Sequence, residues 1–94
     1  MQKHAAQIEI YTTMLCPYCT MAKRLLKTKQ VAFVEIDVTT DATLHEDMTR
    51  RAEGRRTVPQ IFINDLPVGG FDDLLALDKS GGLDKLLSGV SSLA

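Results

Sequence analysis

Apolar and polar positions follow two different periods along the first part of the chain. Residues 8–12, Ile-Glu-Ile-Tyr-Thr, alternate and are rich in β-branched and aromatic side chains, which favours a strand. Beyond it, apolar residues recur at helical spacing and basic residues are expected to point outward: Tyr18, Ala22, Leu25 and Leu26, against Lys23, Arg24 and Lys27. Residues 31–38, Val-Ala-Phe-Val-Glu-Ile-Asp-Val, predict a mostly buried strand. Strand, helix and buried strand form a unit whose strands should run parallel.

The middle of the chain predicts a second helix. Thr43-Leu44-His45-Glu46 fits a capping box at its start, and Asp41 is the alternative cap. The apolar stripe of this helix is narrow and runs up to Gly54, which ends it: Leu44, Met48 and Ala52.

The last third predicts a hairpin and a further helix. Ile61-Phe62-Ile63 and Leu66-Pro67-Val68 flank Asn64-Asp65, and Pro67 favours an edge strand or a strand start. Asp72 is expected to cap the following helix, which Gly81-Gly82 ends before a last helical turn. Five leucines are expected in the core: Leu74, Leu75, Leu77, Leu86 and Leu87. The pattern as a whole predicts an α/β fold, with a sheet of about four strands and helices on both faces.

Length and charge limit the function classes. The 94 residues are expected to form one domain, with a core over about 8–87 and tails at 1–7 and 88–94. A net charge of −1 gives no general attraction to nucleic acid. No apolar run reaches the ~18–20 residues of a membrane span, and the start lacks a secretory pattern. We expect a soluble, monomeric, cytoplasmic protein.

The only two cysteines lie together in Cys16-Pro17-Tyr18-Cys19. Cys16 falls where the first strand gives way to the first helix, and Pro17 takes the first helical position, where its missing N–H costs nothing. Unpaired N–H groups and the positive dipole end at a helix N-terminus stabilise an anion. A Cys16 thiolate of lowered pKa would attack disulfides at neutral pH, and Cys19, one turn further, would close a disulfide with it. The motif predicts redox chemistry.

The cysteines, the histidines and the basic residues also have purely structural interpretations. Incidental cysteines would not require Pro17 at the helix start. A zinc site needs four ligands, and only His4 and His45 could join the thiols, without ligand spacing, so no metal is expected. Both histidines are interpreted as solvated. For Arg56, ligand contact is favoured over a solvated position, and for Arg55 it is the alternative. Solvated surfaces are expected for the other basic residues: Lys23, Arg24, Lys27, Lys29, Arg50 and Arg51.

Two further motifs follow the cysteine pair in order. Thr57-Val58-Pro59 opens a strand, and residues 69–74, Gly-Gly-Phe-Asp-Asp-Leu, open a helix. Together with Cys16-Pro17-Tyr18-Cys19 they resemble a dithiol glutaredoxin of the bacterial type, over about residues 8–87. A thioredoxin would carry Trp-Cys-Gly-Pro-Cys, whereas this chain has no Trp. The resemblance implies a thioredoxin-like fold with a four-stranded mixed sheet.

The resemblance also implies a site for glutathione, which would be the co-substrate. The Val58 backbone would pair with the cysteine of glutathione, and Pro59 would be cis. The N–H groups of Phe71 and Asp72 would hold the γ-glutamyl carboxylate, and the Asp72 side chain its ammonium.

Other positions complete the implied site. Arg56 is placed for the glycine carboxylate of glutathione, and Tyr18 would wall the groove. The remaining implied contacts are Thr57 and Gly70, with support from Pro17 and Thr13. Many glutaredoxins carry Lys at the position of Thr13, where a cation stabilises the thiolate and draws the glycine carboxylate; Arg56 and Arg55 would partly replace it. Phe71 stands where relatives often have Cys.

The implied activity is glutathione-dependent thiol–disulfide oxidoreduction. Cys16 alone would remove glutathione from mixed disulfides, whereas protein disulfides would also need Cys19 to resolve the intermediate. The partners would be glutathionylated or disulfide-containing proteins, with ribonucleotide reductase as one candidate. Two alternatives stay open: a dimeric carrier of a [2Fe–2S] cluster ligated by Cys16 and glutathione, and a redoxin reduced directly by thioredoxin reductase.

Overall fold

The computed structural model describes residues 6–88, and the fold within them is an ordered series of eight elements. These are β1 (Ile8–Thr12), α1 (Pro17–Thr28), β2 (Val34–Asp37), α2 (Ala42–Arg51), β3 (Gln60–Ile63), β4 (Leu66–Gly69), α3 (Phe71–Lys79) and α4 (Gly82–Leu87). The strands lie in the order β2-β1-β3-β4. β1 and β2 run parallel, while the β1–β3 and β3–β4 pairs are antiparallel. The predicted mixed sheet is confirmed.

Helices cover both faces of this sheet because alternate strand residues point to opposite sides. One cluster joins the sheet to α1, α3 and α4: Ile8, Ile10, Ala22, Leu26, Ile61, Ile63, Leu74 and Leu83. The other joins it to α2: Tyr11, Val38, Met48, Ala52 and Phe62. Leu77, Leu86 and Leu87 pack on the first cluster, but Leu75 lies outside both and lines a hollow between α1 and α3.

The prediction of a mostly buried strand over residues 31–38 was wrong in length and in burial. β2 spans four residues, and Val34 is 59% exposed. The cause is its place at the sheet edge, where β1 is its only strand neighbour among residues 6–88. Val38, just beyond the strand, is buried and continues the pairing through its N–H, which donates to the Thr12 carbonyl at 2.9 Å.

Two helix starts differ in detail from the predictions. α2 begins after Asp41, whose side chain accepts the Leu44 N–H at 2.9 Å, so the alternative cap was correct and Thr43 is not the cap. α3 begins after Gly70, and the carboxylate of Asp73 accepts the Gly70 N–H at 3.0 Å. Asp72 therefore does not cap this helix, because Asp73 is the acidic residue that reaches back to its first turn.

The predicted hairpin is present. Asn64 and Asp65 both have positive φ, at 51° and 69°, the backbone geometry that suits a two-residue turn between antiparallel strands. Pro67 lies in the edge strand β4, as expected. Ahead of β1, the Gln7 N–H donates to the Asn64 side chain at 2.9 Å.

Arg51 is not a solvated residue, contrary to the prediction. Its guanidinium donates to the Tyr11 hydroxyl and to the Glu9 carboxylate, both at 2.8 Å, and lies 4.1 Å from the centre of the Phe62 ring. It ties α2 to the sheet because its long side chain lies along the apolar cluster while its charge meets a carboxylate.

Other basic side chains that were expected to be solvated also form ion pairs. Lys23 pairs with Glu35 of β2 at 2.9 Å. Lys29 pairs with Asp78 at 2.6 Å and with Asp84 at 2.9 Å, which links the end of α1 to α3 and α4. Within residues 6–88, no helix has the length and apolar character that crossing a bilayer requires. Of the expected tails at 1–7 and 88–94, residues 1–5 and 89–94 lie outside the described residues.

Candidate active site

The two cysteines lie at the start of α1 and are joined by a disulfide bond. Cys16 has an extended backbone and caps the helix, and its Sγ accepts the Cys19 N–H at 3.0 Å. Cys19 is 2% exposed, whereas Cys16 is only half-buried. Because the same N–H would bond a Cys16 thiolate after reduction, the accessible sulfur is also the one that the helix stabilises.

A shallow groove of about 210 Å³ opens beside Cys16. Its lining comes from α1, from the loop before β3 and from the start of α3: Tyr18, Thr57, Val58, Pro59, Gly70, Phe71 and Asp72. The Cys16 Sγ lies 4.0 Å from the Val58 carbonyl oxygen, a contact without a hydrogen bond because a disulfide sulfur carries no proton. Three larger hollows in the described part of the chain, of about 360, 500 and 270 Å³, are lined by residues other than the cysteines.

Backbone groups dominate one side of the groove. The Val58–Pro59 peptide bond is cis, the isomer that the resemblance implied. Val58 precedes β3, and neither its N–H nor its carbonyl has a hydrogen-bond partner among residues 6–88. A ligand with an extended backbone would find a free donor and a free acceptor there.

The start of α3 forms the opposite end. The N–H groups of Phe71 and Asp72 belong to its first turn and have no partner in the described part of the chain. Asp73 accepts the Gly70 N–H and pairs with Arg55, both at 3.0 Å. These bonds, that to Gly70 first, hold the pKa of the Asp73 carboxyl below its usual value. Asp73 thus supports the turn, while the Asp72 side chain is exposed on the groove.

Two aromatic rings form a wall of the groove. Tyr18 of α1 and Phe71 of α3 stack with ring centres 6.3 Å apart and an interplanar angle of 29°. Tyr18 is 58% exposed, so a face of this wall is available to a ligand. The stack also joins α1, which follows Cys16, to α3, whose N-terminus lies at the groove.

The basic residues near the groove behave differently from one another. Arg55 is engaged with Asp73, while Arg56 is exposed, does not line the groove and has no partner for its guanidinium within residues 6–88. The structure thus leaves Arg56 free to turn toward a ligand but does not bring it to the lining. Thr13 is half-buried in the loop before Cys16 and Pro17 is exposed at the start of α1.

His45 was missed as a supporting residue. It is half-buried, and its Nε2 lies 3.0 Å from the Arg56 carbonyl oxygen, which can only accept, so this nitrogen donates. The bond ties α2 to the loop that leads into Val58, and the interpretation of His45 as solvated was wrong. Its position on α2 gave no sequence signal for this contact. His4 lies outside the described residues, and within them no group of His, Cys, Asp or Glu is arranged for a metal ion.

Comparisons with known proteins point to one family. A glutaredoxin family model matches residues 8–68. Glutaredoxin 3 of Escherichia coli K12 is 54% identical over 82 residues, which cover 87% of this chain and 98% of that protein. The solution structure of a Brucella melitensis glutaredoxin matches with a TM-score of 0.81 at 45% identity, covering 95% of this chain and 96% of the other. A buckwheat glutaredoxin–glutathione complex matches with a TM-score of 0.82 at 22% identity, over 95% of this chain and 83% of that one, which shows a common fold.

Proposed function

This chain belongs to the glutaredoxin family, and from that premise we propose that it uses glutathione to reduce mixed disulfides and protein disulfides. Family membership itself supports thiol–disulfide oxidoreductase activity, with Cys16 and Cys19 as the redox-active pair. The proposal adds the identity of the reductant. A reducing compartment such as the cytoplasm belongs to the same proposal, since a vicinal dithiol works where thiols are kept reduced.

The groove beside Cys16 is the observation that carries the proposal. Seven residues that the resemblance implied for glutathione line it together: Tyr18, Thr57, Val58, Pro59, Gly70, Phe71 and Asp72. Its unpaired backbone groups suit a peptide with a free carboxylate. A buckwheat protein of the same fold was solved with glutathione.

Each part of glutathione would meet a group of matching chemistry. The peptide backbone around its cysteine would pair with the free N–H and carbonyl of Val58. The γ-glutamyl carboxylate would accept from the N–H groups of Phe71 and Asp72, and its ammonium would meet the Asp72 carboxylate. The glycine carboxylate would draw Arg56, which must turn toward the groove to reach it.

The one-cysteine route begins with the Cys16 thiolate attacking the glutathione sulfur of a glutathionylated substrate. A bond forms between the two sulfurs, the old S–S bond breaks, and the substrate leaves as a thiolate that takes a proton from water. A second glutathione thiolate then attacks the bound glutathione sulfur. Glutathione disulfide forms, and Cys16 returns as a thiolate.

The two-cysteine route begins when Cys16 attacks a disulfide of a protein, for which ribonucleotide reductase is one candidate. The Cys19 thiolate then attacks the Cys16 sulfur, which releases the reduced protein and leaves the Cys16–Cys19 bond seen here. Two glutathione molecules reduce that bond and become glutathione disulfide, so the two electrons given to the substrate are restored.

Single-cysteine variants test this proposal. With glutathione, glutathione reductase and NADPH, Cys16→Ser should abolish turnover of a glutathionylated peptide and of a protein disulfide. Cys19→Ser should retain the first activity and lose the second. Loss of both in Cys19→Ser would contradict the division of roles. Wild-type protein that is inert with glutathione but turns over with thioredoxin reductase would refute glutathione dependence.

A further inference from the structure

The loop between β1 and α1 presents two apolar side chains to solvent directly before the reactive cysteine. Leu15 is 92% exposed and Met14 is 68% exposed. Neither lines the groove beside Cys16. Scattered exposed apolar residues need no explanation, but a pair of them next to a nucleophilic sulfur marks a surface that a substrate must approach.

The first turns of α1 expose two further apolar side chains. Tyr18 is 58% exposed and Met21 is 42% exposed. We call these two and the pair Met14 and Leu15 the apolar rim, since all four are exposed and lie within five positions of Cys16 in the chain. Methionine suits such a surface because its unbranched, polarisable side chain adapts to partners of different shape.

The loop that carries the rim residues is held in place from β2. The Met14 N–H donates to the Thr39 hydroxyl oxygen at 2.7 Å. That hydroxyl donates in turn to the Asp37 carboxylate at 2.5 Å, and the Thr39 N–H donates to the same carboxylate oxygen at 2.8 Å. A hydroxyl that donates to a carboxylate is a stronger acceptor, so the two residues act as one anchor.

Water could satisfy the exposed Met14 N–H equally well, so the anchor's effect is to restrict the loop. A restricted loop holds its exposed side chains in one arrangement, and a contact surface loses less entropy on binding when it is already ordered. Asp37 and Thr39 touch neither the groove nor either sulfur. Substitutions of Asp37 or Thr39 can therefore alter the order of the loop without changing the chemistry of Cys16.

We propose that Met14 and Leu15 form a recognition surface for polypeptide substrates that carry apolar residues beside their glutathionylated cysteine, and that Thr39 is the positioning residue for it. The proposal rests on the proposed function, because the substrate is taken as a glutathione mixed disulfide. Glutathione would occupy the groove, while the polypeptide would lie over Met14 and Leu15, which do not line that groove. Small mixed disulfides have no side chains that could contact Met14 and Leu15, so changes at these residues should not affect their turnover.

The test compares three substrates: a small alkyl glutathione disulfide and two glutathionylated peptides that differ only in Leu or Ser at the flanking positions. The measured quantities are kcat and KM with glutathione in excess. Leu15→Ala should raise KM roughly five- to tenfold for the Leu-flanked peptide, the size of loss expected for a buried contact residue. It should leave the Ser-flanked peptide and the small disulfide unchanged.

Thr39 variants test the anchor. Thr39→Val keeps the shape and removes the hydroxyl, and should raise KM for the Leu-flanked peptide about threefold, an effect within the usual worth of one hydrogen bond. Thr39→Ser should restore it. Thr40→Val is the matched control, since the Thr40 side chain has no bonded partner among the described residues, and should match wild type.

Three outcomes would overturn the inference. The first is that wild type shows no preference between the two peptides, and the second is that Leu15→Ala affects all three substrates equally. The third is a dimer in sedimentation that Leu15→Ala dissociates, which would make the rim a contact between copies of this chain. Absence of activity on the small disulfide in wild type would instead refute the proposed function, so the two failures are distinguishable.

Discussion

Substitution of Gly69 by alanine tests how the turn before α3 is built. Gly69 has a φ of 113°, and a Cβ added there would lie 2.3 Å from the Asp73 Oδ2 and 2.6 Å from the Arg55 Nη1. Both contacts are closer than atoms approach without displacement. The alanine must therefore dislodge the carboxylate that accepts the Gly70 N–H at 3.0 Å. Since Gly70 lines the groove, the perturbation reaches the candidate glutathione site.

The expected cost has two parts. A non-glycine residue at positive φ is strained by about 1–2 kcal/mol. Loss of the Asp73 bond to the helix start adds about 1 kcal/mol, and the exposed pair with Arg55 adds at most about 1 kcal/mol. Gly69→Ala should therefore lower the free energy of unfolding by about 2–4 kcal/mol.

Gly54 supplies a matched control. Its φ is 97°, yet an added Cβ would meet nothing within 4 Å. Gly54→Ala should show only the backbone cost of about 1–2 kcal/mol. Urea unfolding followed by circular dichroism gives both free energies of unfolding. Glutathione binding is measured by calorimetric titration with each glycine variant made in a Cys19→Ser background. Binding should be weaker only for the Gly69 variant. Removing the obstructing carboxylate, in Gly69→Ala with Asp73→Ala, should cost less than the sum of the single changes.

The reasoning is refuted if Gly69→Ala and Gly54→Ala agree within about 0.5 kcal/mol, the usual error of additivity. Strict additivity in the double variant would also refute it, because the steric conflict between the alanine and Asp73 would then be absent.

Three other changes have definite expected results. Arg51→Met should lower the urea unfolding free energy by about 2 kcal/mol, since the guanidinium loses its hydrogen bonds to Tyr11, Glu9 and Asp65 and its contacts with the Tyr11 and Phe62 rings. Arg50→Met removes only an exposed pair with Asp47 and should stay within about 0.5 kcal/mol; equal effects would contradict this. The pKa of Asp73 is lowered by the Gly70 N–H and then by Arg55, so its stabilisation is present above the unfolded pKa of about 4 and is lost as the pH falls through the folded value. Asp73→Asn should make the free energy of unfolding depend less on pH between about pH 5 and pH 3. Parallel pH profiles for the variant and wild type would contradict this. Thr13→Lys should lower KM for glutathione in the coupled assay, because a cation would face its glycine carboxylate; an unchanged KM would show that Thr13 does not face it.

Local patterns predicted the fold because each element carries its own signal. Alternation over residues 8–12 and helical spacing after Cys16 indicate which side chains face the core. Ala22, Leu25 and Leu26 follow that division, whereas Tyr18, at the same spacing, is 58% exposed and lies in neither cluster. The turn at Asn64-Asp65 was predictable from residue types that tolerate positive φ. The groove lining was predictable only through motifs shared with a family, since its parts are far apart in the chain.

The errors have a common physical origin. The burial of β2 depends on its place at the edge of the sheet. Strand order is set by pairing with other strands, so residues 31–38 alone do not reveal it. Arg51 and His45 were predicted to be solvated because their side chains are charged or polar. Their partners, Glu9 and the Arg56 carbonyl, are distant in sequence and could not be identified from it. A residue that satisfies a polar group across elements cannot be identified from its own neighbourhood.

These distant ties bear directly on the chemistry, because the candidate site offers backbone groups more than side chains. The amides at the starts of α1 and α3 and the free peptide groups of Val58 exist in any sequence, so their alignment is what selection can act on. Two bonds between separate elements support that alignment, Arg56 with His45 and Arg55 with Asp73, while a third, Met14 with Thr39, orders the loop before Cys16. Substitutions in these anchors should therefore alter glutathione or substrate affinity while leaving the sulfurs and the groove residues chemically unchanged.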